Sequence, residues 1–419
     1  MERLRIRGGA VLRGAVEIGG AKNAALPAFA AALLSEHPLT LANLPEIADI
    51  ATMRRLLEHH GVRAASAAAG ELTLDAGNAP LGEAPYEIMR VMRAGVLVLG
   101  PLTARLGRAR VSLPGGCAIG ARPVDLHLKA LTELGAEVEV AGGYIETRAP
   151  GGLKGARIIF PFSSVGATEC AMMAASLARG ESEIVNAARE PEVADLARCL
   201  AAMGAEIEGI GTHRLLIQGP ARFRPARHAV LTDRVEAGTY AVAAAITGGA
   251  LELVGTRLEH LAAVGEALEK AGVSLWPTDR GLMVERQGPL RAVDVVTQPY
   301  PGFSTDLQAQ FMALMSIAEG SSAIRETVFE NRFMHVSELV RLGASITLSG
   351  TTALVRGVPR LAGAEVMATD LRASVCLVLA GLAAEGETVV NRIYHLDRGY
   401  EALDRKLARC GAQIAREPA

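Results

Sequence analysis

Apolar residues are not spread evenly along the chain; they gather in six blocks that each begin on polar residues. The blocks are AKNAALPAFAAALL from Lys22, MRAGVLVLGPLTARLG from Arg93, VGATECAMMAASLARG from Gly166, VEAGTYAVAAAITGG from Glu236, TDLQAQFMALMSIAEG from Asp306 and TDLRASVCLVLAGLAAEG from Asp370. Their starts are 71, 73, 70, 70 and 64 residues apart. A stretch that is apolar on every side predicts a buried helix rather than a surface one.

A second series interleaves with the first. Amphipathic stretches such as VADLARCLAAMG bury one face only. They run into HHGVRA, ELGAEVEV, AMGAEIEG, KAGVSLW, RLGASITL and RCGAQIA, with glycines at 61, 135, 204, 272, 343 and 411. These spacings are 74, 69, 68, 71 and 68. Each glycine stands where a helix gives way to a strand, the expected C-cap position. Two independent markers with one period of about 70 residues predict a sixfold internal repeat. Each unit holds one all-apolar helix, one amphipathic helix and a few strands. The fold expected is α/β, with inner helices, outer sheets and two domains of three units.

The buried helices begin with ionisable residues: Lys22, Arg93, Glu236, Asp306, and Asp370 with Arg372. Asp at such a position is equally expected as a plain N-cap. Lys22 and Arg93 instead stand at the positive end of the helix dipole, where a bound anion would balance them.

Composition narrows the function classes. The 419 residues carry 43 Lys and Arg against 45 Asp and Glu, with no basic block, so a nucleic-acid partner is not expected. Aromatics make up only 4%, which also speaks against base-stacking surfaces. The most apolar run, residues 373–384, is shorter than the ~20 residues of a membrane span and predicts a buried helix. MERLRIRGGAVLRG has no apolar signal-peptide region. The five cysteines, Cys117, Cys170, Cys199, Cys376 and Cys410, include no CxxC pair and fit a reducing, cytoplasmic setting. The last four fall in apolar helical stretches and are expected to be packing residues. No GxGxxG follows a strand, no P-loop or GxSxG elbow is present, and the scattered histidines suggest no zinc site.

The segment LPGGCAIGARPVDLHL, residues 113–128, is different in kind. It sets Cys117 in a glycine-rich loop, with Arg122 five residues later and His127 on the helix expected to follow. A lone cysteine is more often a small buried hydrophobe. A thiol beside a fixed cation on a pliable backbone also suits covalent or acid–base chemistry on an anion. The Pro-Gly-Gly run predicts that residues 114–119 close over a bound substrate.

GGAKNAALPAFAAALL, LPGGCAIGARPVDLHL, VGATE, NAAREPEV, DRVEAGTY, STDLQAQFMAL, FENRFMHVSEL, ATDLRAS and YHLDRGYE occur in order from residue 19 to residue 401. Together they resemble the UDP-N-acetylglucosamine enolpyruvyl transferase family across essentially the whole chain. That family moves the enolpyruvyl group of phosphoenolpyruvate to the 3′-hydroxyl of UDP-N-acetylglucosamine, the first committed step toward bacterial peptidoglycan. The resemblance implies a two-domain inside-out α/β barrel, with three βαβαββ units per domain. It places residues 22–229 in one domain and residues 1–21 with 230–419 in the other, with the active site between them. It implies no cofactor, no metal and no membrane partner.

By the same resemblance Lys22, Arg122 and Arg398 bind phosphoenolpyruvate, with Asn23 beside Lys22 and Arg372 nearby. Arg93, the run Arg122, Pro123, Val124, Asp125 and Leu126, and Val328 line the nucleotide-sugar site. Asp306 stands at the sugar 3′-hydroxyl. Cys117 is the family's proton donor, and also the sulfur that forms a thioketal with phosphoenolpyruvate and is alkylated by fosfomycin; donor and nucleophile roles both remain open. Two positions depart from several relatives, which carry Lys where this chain has Phe162 and Ala48. The UDP pyrophosphate would then meet fewer cations here. Two rival readings are a 5-enolpyruvylshikimate-3-phosphate synthase, which works without a loop cysteine, and a non-catalytic UDP-sugar-binding relative.

Overall fold

All six glycines of the interleaved series adopt φ between +90° and +120°. Side chains with a Cβ avoid that region, so each glycine ends its helix and turns the chain into a strand. The computed structural model describes residues 2–77, 81–115 and 124–419. Cys117, Arg122 and Pro123 lie outside the described residues, as do residues 116–119 of the expected lid.

The chain divides into two compact units. One comprises residues 2–19 and Thr232–Ala419, the other the described part of residues 20–231. In the first unit the three apolar helices are Arg234–Thr247, Gln308–Met315 and Leu371–Ala383. They pack pairwise against one another at the centre of the core. Tyr240 and Phe311 are wholly buried there, and Phe311 meets Phe303 edge to face at 5.3 Å. Burying a side chain of this size contributes about 1.5–3 kcal/mol. In the second unit the corresponding helices are Lys22–Ala31, Leu99–Leu106 and Val165–Ala175.

Among the described residues each unit also holds three four-stranded sheets, and all six share one topology. An outer strand runs parallel to the second, the third is antiparallel to the second, and the fourth is antiparallel to the third. Many strands alternate buried with less buried positions, as in Ala250–Val254, where Leu251 and Leu253 are wholly buried in the core. Two sheets are completed from far along the chain. Ala226–Ala229 lies parallel to Leu39–Ala42. Glu2–Arg7 lies between Glu387–Asn391 and Gln413–Pro418, antiparallel to both.

Two helix starts differ from the expectation. Arg93 opens a 3-10 segment, Arg93–Val98, and the α-helix begins at Leu99. Asp306 likewise sits in the 3-10 turn Thr305–Leu307 ahead of Gln308. Such tight first turns are common at helix N-termini, where the first N–H groups have no intrahelical partner. The run at 373–384 is the buried core of Leu371–Ala383, and no helix among the described residues is long and apolar enough to cross a membrane. Cys170, Cys199, Cys376 and Cys410 are free and buried.

Candidate active site

Two aspartates that look alike in sequence have different roles. Asp370 is the N-cap of Leu371–Ala383, accepting from the backbone N–H groups of Arg372 at 2.8 Å and Ala373 at 3.1 Å. Asp306 is not a cap. Ser304 performs that duty, accepting from the N–H of Asp306 at 3.3 Å, and leaves the Asp306 carboxylate free for side chains.

Two guanidinium groups take it. Arg332 donates Nη2 to Oδ1 at 2.6 Å, and Arg372 donates Nη2 to Oδ2 at 2.8 Å. Both arginine side chains are over 90% buried, while Asp306 keeps 23% exposure. Burial alone would raise the Asp306 carboxyl; Arg372 and Arg332 outweigh it and hold Asp306 well below the usual carboxylate range. Arg372 also donates Nη1 to the Tyr400 hydroxyl at 3.2 Å. Tyr400 shares a 2.9 Å hydrogen bond with Thr239. Nearby, burial lowers the His335 ring to about 4, so it is neutral at pH 7. Arg398 ends the 3-10 segment Ile393–Arg398, which packs on Leu371–Ala383.

Sequence reasoning missed Arg332. It lies in FENRFMHVSEL, from whose surroundings only Val328 was expected in the site. The available signal was one arginine between Asn331 and Phe333 in a stretch without helical or strand periodicity. Its burial could not be read from that.

The second unit holds the other expected residues. Gly20 leads into the first buried helix because a Cβ there would lie 1.7 Å from the Asn43 carbonyl oxygen. Lys22 opens that helix and reaches Asp49 Oδ2 at 3.2 Å. The anion expected at this positive helix end is thus in part a carboxylate of the protein itself. Asn23 is exposed beside it. The Arg93–Val98 segment packs against Lys22–Ala31 and Val165–Ala175. Val124 precedes Asp125–Glu133, the expected helix carrying His127; Val124 and Leu126 are buried and Asp125 exposed. A Cβ on Gly166 would lie 2.9 Å from His127 Nε2, so the glycine lets this helix start approach the imidazole. Phe162 is 62% exposed, a large apolar side chain on the surface ahead of the same helix.

The Glu236 start is structural. Its carboxylate takes Lys406 Nζ at 2.7 Å and the N–H of Gly19 at 2.8 Å. Thus within the first unit Asp306, Arg332 and Arg372 form one tight cluster, and within the second Lys22 pairs with Asp49.

Comparison with known proteins places this geometry. The EPSP synthase (3-phosphoshikimate 1-carboxyvinyltransferase) family profile matches residues 6–407. The chain is 64% identical over 416 residues to UDP-N-acetylglucosamine 1-carboxyvinyltransferase 2 of Mesorhizobium japonicum, covering 99% of both proteins. It is 61% identical over 417 residues to UDP-N-acetylglucosamine 1-carboxyvinyltransferase of Gluconacetobacter diazotrophicus, again covering 99% of each. Among solved structures, the enolpyruvyl transferase NikO from Streptomyces tendae superposes with a TM-score of 0.88 at 26% identity, over 100% of this chain and 99% of that one. EPSP synthase from Acinetobacter baumannii superposes with a TM-score of 0.77 at 19% identity over the whole of both chains, a likeness of fold. With that coverage and identity, the chain belongs to the EPSP synthase family of enolpyruvyl transferases, in its UDP-N-acetylglucosamine 1-carboxyvinyltransferase branch.

Proposed function

We propose that this protein transfers the enolpyruvyl group of phosphoenolpyruvate to the 3′-hydroxyl of UDP-N-acetylglucosamine and releases phosphate, the first committed step of peptidoglycan precursor synthesis. The observation that carries this reading is Asp306, a partly exposed carboxylate held ionised by two buried arginines in a chain so close to the named transferases. The domains are residues 22–229 and residues 1–21 with 230–419. The work is done in the cytoplasm.

Phosphoenolpyruvate brings a phosphate and a carboxylate, and Lys22, Arg122 and Arg398 bind them. Arginine suits this because its fork of N–H donors matches oxyanions in pairs. Arg93, Asn23, residues 122–126 and Val328 hold the nucleotide sugar. A carboxylate held as low as Asp306 is a weak base toward a free alcohol. It accepts the 3′-hydroxyl proton only as the new C–O bond forms, when that proton becomes acidic. Cys117 acts at the methylene carbon of phosphoenolpyruvate, and protonation there prepares the adjacent carbon for attack by the 3′-oxygen. The tetrahedral adduct then loses phosphate and one proton from its new methyl group, giving the enol ether.

The test is phosphate release from phosphoenolpyruvate. Release with UDP-N-acetylglucosamine and none with shikimate 3-phosphate is expected. Release with shikimate 3-phosphate alone would assign the sister activity, and none with either would leave a binding protein.

A further inference from the structure

One buried carboxylate near Asp306 has no place in that chemistry, yet four donors converge on it. Glu326 follows the strand Ser321–Arg325 and is 1% exposed. Its Oε1 accepts from Thr297 Oγ1 at 2.8 Å, from the N–H of Val328 at 2.8 Å and from the N–H of Phe329 at 3.1 Å. Its Oε2 accepts from Thr305 Oγ1 at 2.9 Å. The direction of these bonds is set by their neighbours. Thr297 Oγ1 accepts from the N–H of Thr327 at 2.9 Å, so its own proton is available for Glu326. Thr305 Oγ1 accepts from Arg332 Nη1 at 2.9 Å, so its proton is likewise directed to Oε2. Arg332 then uses Nη2 on Asp306.

We propose that Glu326 is a positioning residue for the transfer, orienting Asp306 through Thr305 and Arg332 and fixing the backbone of Val328 through its N–H bonds. This rests on the roles given above to Asp306 and Val328. The two arms leave one carboxylate by different oxygens. Oε2 sets the angle of the Arg332 fork on the reacting carboxylate; Oε1 sets the turn at Val328 and Phe329 that meets the nucleotide sugar. A buried acceptor that satisfies four donors is costly to alter, because an amide in its place must turn a donor toward a donor.

The arms separate by substitution. Thr305→Val removes the hydroxyl while keeping the shape, and Thr305→Ser restores it. Thr305→Val is expected to lower kcat by about tenfold or more, as for loss of a hydrogen bond to a charged group. It should leave the KM for UDP-N-acetylglucosamine within about twofold. The acid limb of its kcat/KM profile should move to higher pH, because Arg332 then grips Asp306 less firmly. Thr305→Ser should recover most of the rate. Glu326→Gln should lower kcat similarly and also raise the nucleotide-sugar KM several-fold, on the order of fivefold. The double variant should be no slower than Glu326→Gln alone, since both changes break one chain of contacts.

Independent, multiplying losses in the double variant would overturn the proposal. So would rates that fall only with the folded fraction, leaving the pH limb in place and Thr305→Ser unrescued. A wild-type protein with no turnover on UDP-N-acetylglucosamine overturns the functional reading and this proposal with it. Wild-type turnover with unchanged variants overturns this proposal alone.

Discussion

Arg332 holds Asp306 at 2.6 Å from 26 residues further along the chain, and it does so from a buried position. The pair sets a carboxylate with one side toward solvent against a cation with almost none. Replacing Asp306 therefore has two effects. In Asp306→Ala, turnover should fall by about 10²–10⁴, the usual contribution of a positioned acid or base. Binding of UDP-N-acetylglucosamine by calorimetry should persist. The variant should also unfold at lower temperature, because two buried guanidinium groups lose their counter-charge. The carboxyl is held low when folded, so its stabilisation is present above about pH 3.9 and fades as pH falls through the lower folded value. Normal turnover with weakened sugar-nucleotide binding would instead make Asp306 a binding residue.

Arg332→Lys keeps the charge and loses the fork. A lysine cannot serve both Thr305 Oγ1 and Asp306 Oδ1 in the planar geometry that Arg332 uses. The expected result is a loss in kcat of about tenfold to a hundredfold, comparable to one charge-assisted hydrogen bond. Steady-state kinetics with both substrates checks it. A wild-type kcat would mean that point charge alone suffices at this position.

Cys117→Ser should impair turnover and abolish labelling by fosfomycin, followed by intact-protein mass. The other cysteines offer no substitute. Burial pushes the thiols of Cys170 and Cys199 up to about 12 and raises Cys376 and Cys410 as well. An adduct that still forms in Cys117→Ser would move the reactive thiol elsewhere.

Glu169 makes a prediction about stability rather than rate. It is 3% exposed on Val165–Ala175, and its Oε1 has no hydrogen-bond partner among the described residues. Burial, then the charges of Glu192 and Glu190, raise its carboxyl well above the usual range. The folded protein therefore keeps a proton that the unfolded chain releases above about pH 4.3, and stability falls as pH rises through that window. Glu169→Gln removes the dependence. It should melt at a higher temperature than wild type at pH 8, by roughly 2–4 °C per kcal/mol recovered, and close to wild type at pH 5. Equal destabilisation at both pH values would show that the ionised carboxylate is needed in the fold.

The repeat was legible because it is written twice, once in apolar helices and once in glycines whose left-handed backbone no other residue adopts cheaply. The sheets were less so. Nothing in the local pattern of Ala226–Ala229 says that it lies against Leu39–Ala42, since strand partners across 187 residues leave no periodic trace. The site divides the same way. Asp306 and Arg372 stand out as charges at the heads of apolar helices. Their neighbour Arg332 and the Asp49 that meets Lys22 do not, because each acquires its meaning from a contact rather than from its own segment. Residue type likewise could not tell the cap Asp370 from the non-cap Asp306; that difference rests on the hydroxyl of Ser304.

The first strand, Glu2–Arg7, has both its neighbours in the last 33 residues of the chain. During synthesis it emerges ahead of both partners and waits for them. Among the described residues the inner stretch to Leu231 carries its own strands and can close early, while the unit that holds Asp306 stays unsealed until Gln413–Pro418 has been made. Loss of Gln413–Pro418 would thus take a partner from Glu2–Arg7, and damage to the later segment should be felt at the earlier one before anywhere else.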